Sequence, residues 1–230
     1  MIKDNLKFMR FDIITIFPDI FESYFSESLI KKAKENDLIE VNIHDLRDYS
    51  ENKWGDVDGK PYGGGRGMVM KVEPIYKAVK DVKIKSKKTK TILFTPRGVD
   101  YNQKKATEYS DLDQLIMICG RYEGVDERVR SHIADESVSI GDYVLIGGEI
   151  PAMAVVESVS RLVPGVVGID NEGFLEERVR GEGMIEYPQY SRPETFTTDD
   201  GQEWSVPEVL LSGHHKNIEK WREDKGEIIK

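Results

Sequence analysis

Short runs of β-branched and aromatic residues alternate with stretches in which apolar residues recur every three or four positions. That alternation points to helices packed against a mostly parallel sheet. The run FDIITIF at 11–17 reads as a strand, and Pro18 sits where the first turn of a helix accepts it. Across 19–34, Ile20, Phe21, Tyr24, Phe25, Leu29, Ile30 and Ala33 predict one amphipathic helix. A strand over Leu38 to Leu46, a polar glycine-rich loop over 47–67 and a helix beginning over Pro74 to Lys80 follow. Strand 91–95, helix 102–109, strand 115–119 and helix 126–133 continue the pattern. The helix at 150–163, IPAMAVVESVSRLV, is apolar on most faces, which suits deep packing or a subunit contact.

Composition narrows the class. With 39% hydrophobic and 33% charged residues, the 230-residue chain is neither a membrane protein nor a disordered one. It has room for one large domain, or for a core-forming domain with a small second unit. A net charge of −9 argues against nonspecific coating of nucleic acid while leaving room for a local basic groove. Cys119 is the single cysteine, so neither an internal disulfide nor a thiolate zinc cluster can form, and the cytoplasm is the expected compartment. Charges at Lys3, Asp4, Lys7, Arg10 and Asp12 interrupt any signal peptide, no apolar run is long enough to span a bilayer, and residues 1–8 read as an extension without structural necessity. Residues 168–186 hold four glycines and many charges, and read as an exposed linker between a domain at 1–167 and a compact tail at 187–230. In that tail Ser212 is a candidate N-cap for a helix carrying Ile218 and Trp221 on one face.

Three glycine-bearing segments follow apolar runs: TPRG at 95–98, CGRYEG at 119–124 and SIGDYVLIGGEIP at 139–151. In an open α/β sheet, ligands bind beyond the carboxyl ends of the strands, where small residues let backbone amides approach them. Taken singly, each glycine serves a turn; taken together, they predict one pocket. The chain lacks both G-x-x-x-x-G-K-S/T and G-x-G-x-x-G, so a phosphate-rich nucleotide is a poor guess. PYGGGRGM at 61–68 has the glycines of an anion nest but precedes a helix rather than following a strand, and its Arg66 could equally meet RNA backbone.

PYGGGRGMVM, CGRYEGVDERV, SIGDYVLIGGEIPAM, ESVSRLVPGV, EYPQYSRPE and VPEVLLSGHH, in that order, closely resemble the bacterial TrmD tRNA (guanine-N1)-methyltransferases, from about Met9 to Trp221. The resemblance implies a SPOUT-like α/β fold whose mostly parallel sheet carries a deep trefoil knot, with a small helical C-terminal domain that binds tRNA. It also implies a homodimer, S-adenosylmethionine as methyl donor, Mg2+, and the guanosine just 3′ of the tRNA anticodon as acceptor. In the family, each site takes its donor pocket from one protomer and its base and tail from the other.

Carried over by position, the donor pocket maps onto Leu93, Phe94, Thr95 and Pro96; onto Gly120, Tyr122, Glu123 and Gly124; and onto Ser139, Ile140, Gly141, Tyr143, Leu145, Gly147, Gly148 and Pro151. The bland reading of Tyr122 and Tyr143 is packing, that of Glu123, Asp126 and Glu127 is placement near a helix N-terminus, and that of Cys119 is a buried strand residue.

Guanine N1 must lose a proton to become a nucleophile while charge moves onto O6, which calls for a base and a cationic group. Arg161 in ESVSRLVPG matches the family's O6-stabilising arginine, although an arginine ending a helix is also favoured by the macrodipole. For the base, the family's linker pattern resembles L-E-D-S-F, whereas this chain reads Leu175-Glu176-Glu177-Arg178-Val179, so Glu177 is the positional match. Asp170, Glu176 and Glu182 remain candidates beside it. Other departures are Lys53-Trp54-Gly55-Asp56-Val57-Asp58-Gly59 in place of a K-H…V-D-D loop, and Arg66 in place of a proline. Arg192, His214, His215 and Lys216 match the part of the tail expected to grip the anticodon stem-loop, and the adjacent histidines do not suit a helix-face zinc pair. The family normally continues past the last helix, which leaves open a longer parent protein. Two other readings stay open: a related methyltransferase with a different acceptor, and a donor- or RNA-binding module without turnover.

Overall fold

The computed structural model describes residues 8–85, 87–167, 184–185 and 187–228. The chain divides into two compact units, Met1–Phe174 and Leu175–Lys230, with the boundary outside the described residues. Glu177, Asp170, Glu176 and Glu182 also lie outside them.

The first unit is built on five parallel strands: β1 (Met9–Thr15), β2 (Ile39–Asp45), β5 (Thr89–Asp100), β6 (Gln114–Ile118) and β7 (Glu136–Ser139). Their order is β2-β1-β6-β5-β7. Two-residue strands β3 (Asp58–Gly59) and β4 (Val69–Met70) form a separate antiparallel pair. Because successive side chains in a strand point to opposite faces, parity sorts the core. Phe11, Ile13, Leu115, Met117, Ile92 and Phe94 face one side. Ile14, Ile116, Ile118 and Leu93 face the other.

Each face is closed by a helix whose apolar residues recur at three- and four-residue steps. Ala152, Val155, Val156 and Val159 of α6 (Glu149–Arg161) cover the first. Ile75, Ala78, Val79 and Val82 of α3 (Val72–Val82) cover the second. With both faces covered, the central strands read as continuous apolar runs, and β6 is buried along its whole length.

Several expectations need correction. The helix predicted over 19–34 is three pieces: a 3-10 turn at Pro18–Phe21, α1 (Glu22–Phe25) and α2 (Ser28–Glu35). Ser26 turns its hydroxyl back onto the Ser23 carbonyl and Ser28 has φ 55°, so the polar Ser-Glu-Ser step breaks the helix. TPRG is not a free loop but an irregularity within β5, with Phe94 and Val99 both pairing with Val138. The stretch 47–67 holds a 3-10 turn at Leu46–Tyr49 and β3, and PYGGGRGM connects β3 to β4. Helix α6 packs deep along one side, while Ile150, Ala154, Glu157 and Arg161 are exposed.

In the second unit, Thr195–Thr197 pairs antiparallel with Glu203–Ser205, and Met184–Ile185 with Glu227–Ile228, so the tail mixes strand pairs with its helices. Ser212 does not cap the last helix. It follows α7 (Glu208–Leu211) and donates to the Val209 carbonyl at 2.8 Å, while His214 occupies the N-cap position of α8 (His215–Lys225). Ile218 and Trp221 do share the less exposed face of α8, and Tyr187 and Tyr190 pack on Trp221. Among the described residues, no helix is long and apolar enough to cross a membrane.

Candidate functional site

The irregular middle of β5 meets the carboxyl ends of β6 and β7 at one edge of the sheet, and these segments enclose a cavity of about 390 Å3. Every residue assigned from sequence to a donor pocket lines it. Leu93, Phe94, Thr95 and Pro96 come from β5, Gly120, Tyr122, Glu123 and Gly124 from the segment after β6, and Ser139 to Pro151 from the segment joining β7 to α6.

Backbone hydrogen bonds tie these segments together. The Gly148 N–H donates to the Gly120 carbonyl at 3.0 Å. A Cβ at Gly148 would stand 2.6 Å from Cys119 Cα, so this approach requires glycine. The Glu123 and Met70 N–H groups bond the Met68 and Gly124 carbonyls, both at 3.0 Å, anchoring the β6 segment on β4. Tyr143 donates its phenol to the Ile140 carbonyl at 3.2 Å, and Ser139 donates its hydroxyl to the Gly141 carbonyl at 3.0 Å.

Tyr122 and Tyr143 are 49% and 55% exposed, so neither is a core residue. Tyr122 sits at φ 60°, a strained conformation for a non-glycine residue. Partial burial, with Asp58 close by, raises its phenol pKa. The carboxylates separate by role. Asp126 caps α5 (Glu127–His132) by accepting from the Arg128 N–H at 2.9 Å, and although burial opposes it, the Arg128 guanidinium holds its pKa below the ordinary value. Glu127 pairs with Arg130 at 2.6 Å. Glu123 lines the cavity with no side-chain partner among the described residues. Cys119, just past the end of β6, is fully buried, and that burial pushes its thiol well above the usual range, as suits an inert residue.

The remaining candidates lie elsewhere. Arg161 is in the last turn of α6, exposed and outside the cavity lining. It is ten residues beyond Pro151, or about 15 Å along the helix axis. Arg66 is exposed in the turn between β3 and β4. In the second unit, Arg192 lines a separate cavity with Tyr187, Tyr190 and Arg222, while His214, His215 and Lys216 are exposed at the start of α8.

Sequence reasoning missed Arg97, Arg121 and Arg130, which also line the main cavity. Arg121 lies inside the CGRYEG segment, so its neighbours were the available signal. Its partner is Glu149, reached by Nε at 2.8 Å across a separation of 28 residues that no local pattern encodes. Among the described residues, no three His, Cys, Asp or Glu side chains come together as a metal site.

A cavity of this size suits a nucleoside carrying a short chain. Its wall of backbone groups beside Leu93, Ile140, Leu145 and Pro151 suits an adenine and a thioether better than a triphosphate, so the residues present fit S-adenosylmethionine.

The model of the tRNA (Guanine-1)-methyltransferase TrmD family matches residues 9–228. A tRNA (guanine-N(1)-)-methyltransferase of Citrifermentans bemidjiense is 50% identical over 214 residues, covering 93% of this chain and 83% of that protein. Its namesake in Dictyoglomus turgidum is 51% identical with the same coverage, and that of Staphylococcus aureus JH9 is 43% identical over 216 residues, covering 94% and 85%. A match along nearly the whole chain, with the expected segments gathered around one cavity, means that this chain belongs to the TrmD family of tRNA (guanine-1)-methyltransferases.

Proposed function

We propose that the protein transfers the methyl group of S-adenosylmethionine to N1 of the tRNA guanosine just 3′ of the anticodon. The observation that carries this reading is the convergence of the donor-pocket residues on one cavity at the carboxyl edge of the sheet, in a chain of this family. Bound there, S-adenosylmethionine supplies an electrophilic methyl group on a sulfonium.

The chain's part is to hold the donor, orient guanine and move one proton. Backbone groups around Gly120, Gly141 and Gly148 take the polar edges of the nucleoside, while Leu93, Ile140 and Leu145 exclude water from it. Glu177 accepts the N1 proton, and Arg161 donates to O6 as negative charge develops there. In the homodimer, each site takes its donor pocket from one protomer and its base and tail from the other, so that Arg161 and Glu177 act on one guanine from different chains. The knotted SPOUT fold, a donor-binding domain at 1–167, a linker at 168–186, a tRNA-gripping tail at 187–230 and a cytoplasmic setting belong to the same reading. Arg66, Arg192, His214, His215 and Lys216 are its RNA contacts. No step is assigned to Mg2+, because the described residues offer no ligand set for it.

Glu177→Gln and Arg161→Ala should each slow single-turnover methyl transfer at least about a hundredfold, the size of a general-base or oxyanion contribution, with little change in donor affinity. An unchanged rate in Glu177→Gln moves the base to Asp170, Glu176 or Glu182. Mixed dimers of the two single variants should regain about one working site, and mixed dimers that stay inactive contradict the exchange between protomers.

A further inference from the structure

Beneath the cavity lies a charge that the methyl transfer does not use. Glu149, the first residue of α6, is 2% exposed. Its Oε1 accepts from Thr15 Oγ1 at 2.8 Å, and the same Thr15 oxygen accepts from the Phe17 N–H at 3.0 Å. Its Oε2 accepts from Arg121 Nε at 2.8 Å. The helix N-terminus favours a carboxylate here, but stability alone is a weak reason for a buried ion pair, since apolar residues of similar volume often serve as well.

Several neighbours hold Arg121 in place. Its guanidinium carbon stands 4.7 Å from the centre of the Phe17 ring, its backbone N–H meets Met70 Sδ at 3.1 Å, and a side chain at Gly147 would collide with it. No hydrogen bond joins its two terminal nitrogens to any described residue, and the residue lines the cavity. Among the arginines of that lining, Arg130 pairs instead with the exposed Glu127. A guanidinium held at Nε and stacked on a ring keeps its outer edge preset for a planar oxyanion, at little further cost in side-chain freedom.

We propose that Glu149 and Thr15 are positioning residues that hold Arg121 as a fixed oxyanion receptor in the cavity wall, for the carboxylate of the donor or a phosphate of the RNA. The choice of these two anions rests on the methyl-transfer reading; the anchored guanidinium does not.

The test uses the full chain with Arg121→Gln, Glu149→Gln and Arg121→Lys. Calorimetry measures S-adenosylmethionine against 5′-methylthioadenosine, which lacks the carboxylate, and tRNA affinity is measured across a salt series. If the donor carboxylate is the anion, S-adenosylmethionine weakens at least about tenfold in Arg121→Gln and Glu149→Gln, the loss of one charge-assisted bond, while methylthioadenosine holds within about twofold. If an RNA phosphate is the anion, donor affinity holds and the salt slope of tRNA binding falls by about one. In either case Arg121→Lys, which keeps the charge and loses the fork, falls between wild type and Arg121→Gln. The proposal is overturned if neither anion-dependent readout moves, or if both nucleosides weaken together, which would make the cluster purely structural. Should Glu149→Gln fail to fold, the two Arg121 variants decide alone. A wild-type chain that binds neither nucleoside refutes the donor reading instead.

Discussion

Gly148 shows how a single residue sets the cavity. Its missing side chain lets the start of α6 lie against Cys119, and the added Cβ would meet backbone atoms that cannot swing aside. Gly148→Val should therefore lower stability by about 1–3 kcal/mol, the usual size of core overpacking, and weaken S-adenosylmethionine at least about tenfold. Urea unfolding and calorimetry check the two effects, and intact donor affinity would show that the Gly148–Gly120 approach is not part of the pocket. Such glycines were legible in the sequence because small residues after apolar runs have few other uses. The Arg121–Glu149 bond was not, since a contact between residues 28 apart is decided by how β6 and α6 pack.

At the scale of elements, β1, β5 and β6 could be read because buried parallel strands are apolar on both faces. Strand β7, ESVS, was not predicted, being short and mostly polar, and it gains its place only by pairing with β5. The break at Ser26–Ser28 was hidden by apolar spacing that continues on either side of it. Strand β1 also carries Asp12, fully buried on the α3 side of the sheet. Burial opposes its ionisation, yet hydrogen bonds from His44 at 2.8 Å, Arg10 at 2.8 Å and Gln114 at 2.6 Å outweigh it and hold its pKa below the ordinary carboxylate value. With the folded pKa depressed, ionised Asp12 adds stability above the unfolded value of about 3.9, and that stability is lost as pH falls through the folded value. Asp12→Asn should thus narrow the difference in unfolding free energy between neutral and acid solution. An unchanged pH dependence would mean that the cluster does not favour the carboxylate form.

For the whole molecule, the sequence changes near residue 168 to a charged, glycine-rich segment that lies outside the described residues, and the division of the chain into two units falls within it, between Phe174 and Leu175. The mixed character of the tail was not legible in the sequence, because its strands are two or three residues long and hold no alternation to read. The most direct test is to incubate the chain with a tRNA transcript and methyl-labelled S-adenosylmethionine, digest the RNA and locate the label. The account predicts 1-methylguanosine at the guanosine following the anticodon, and none when that guanosine is replaced by adenosine. Label on another nucleoside, or on a transcript lacking that guanosine, would contradict it.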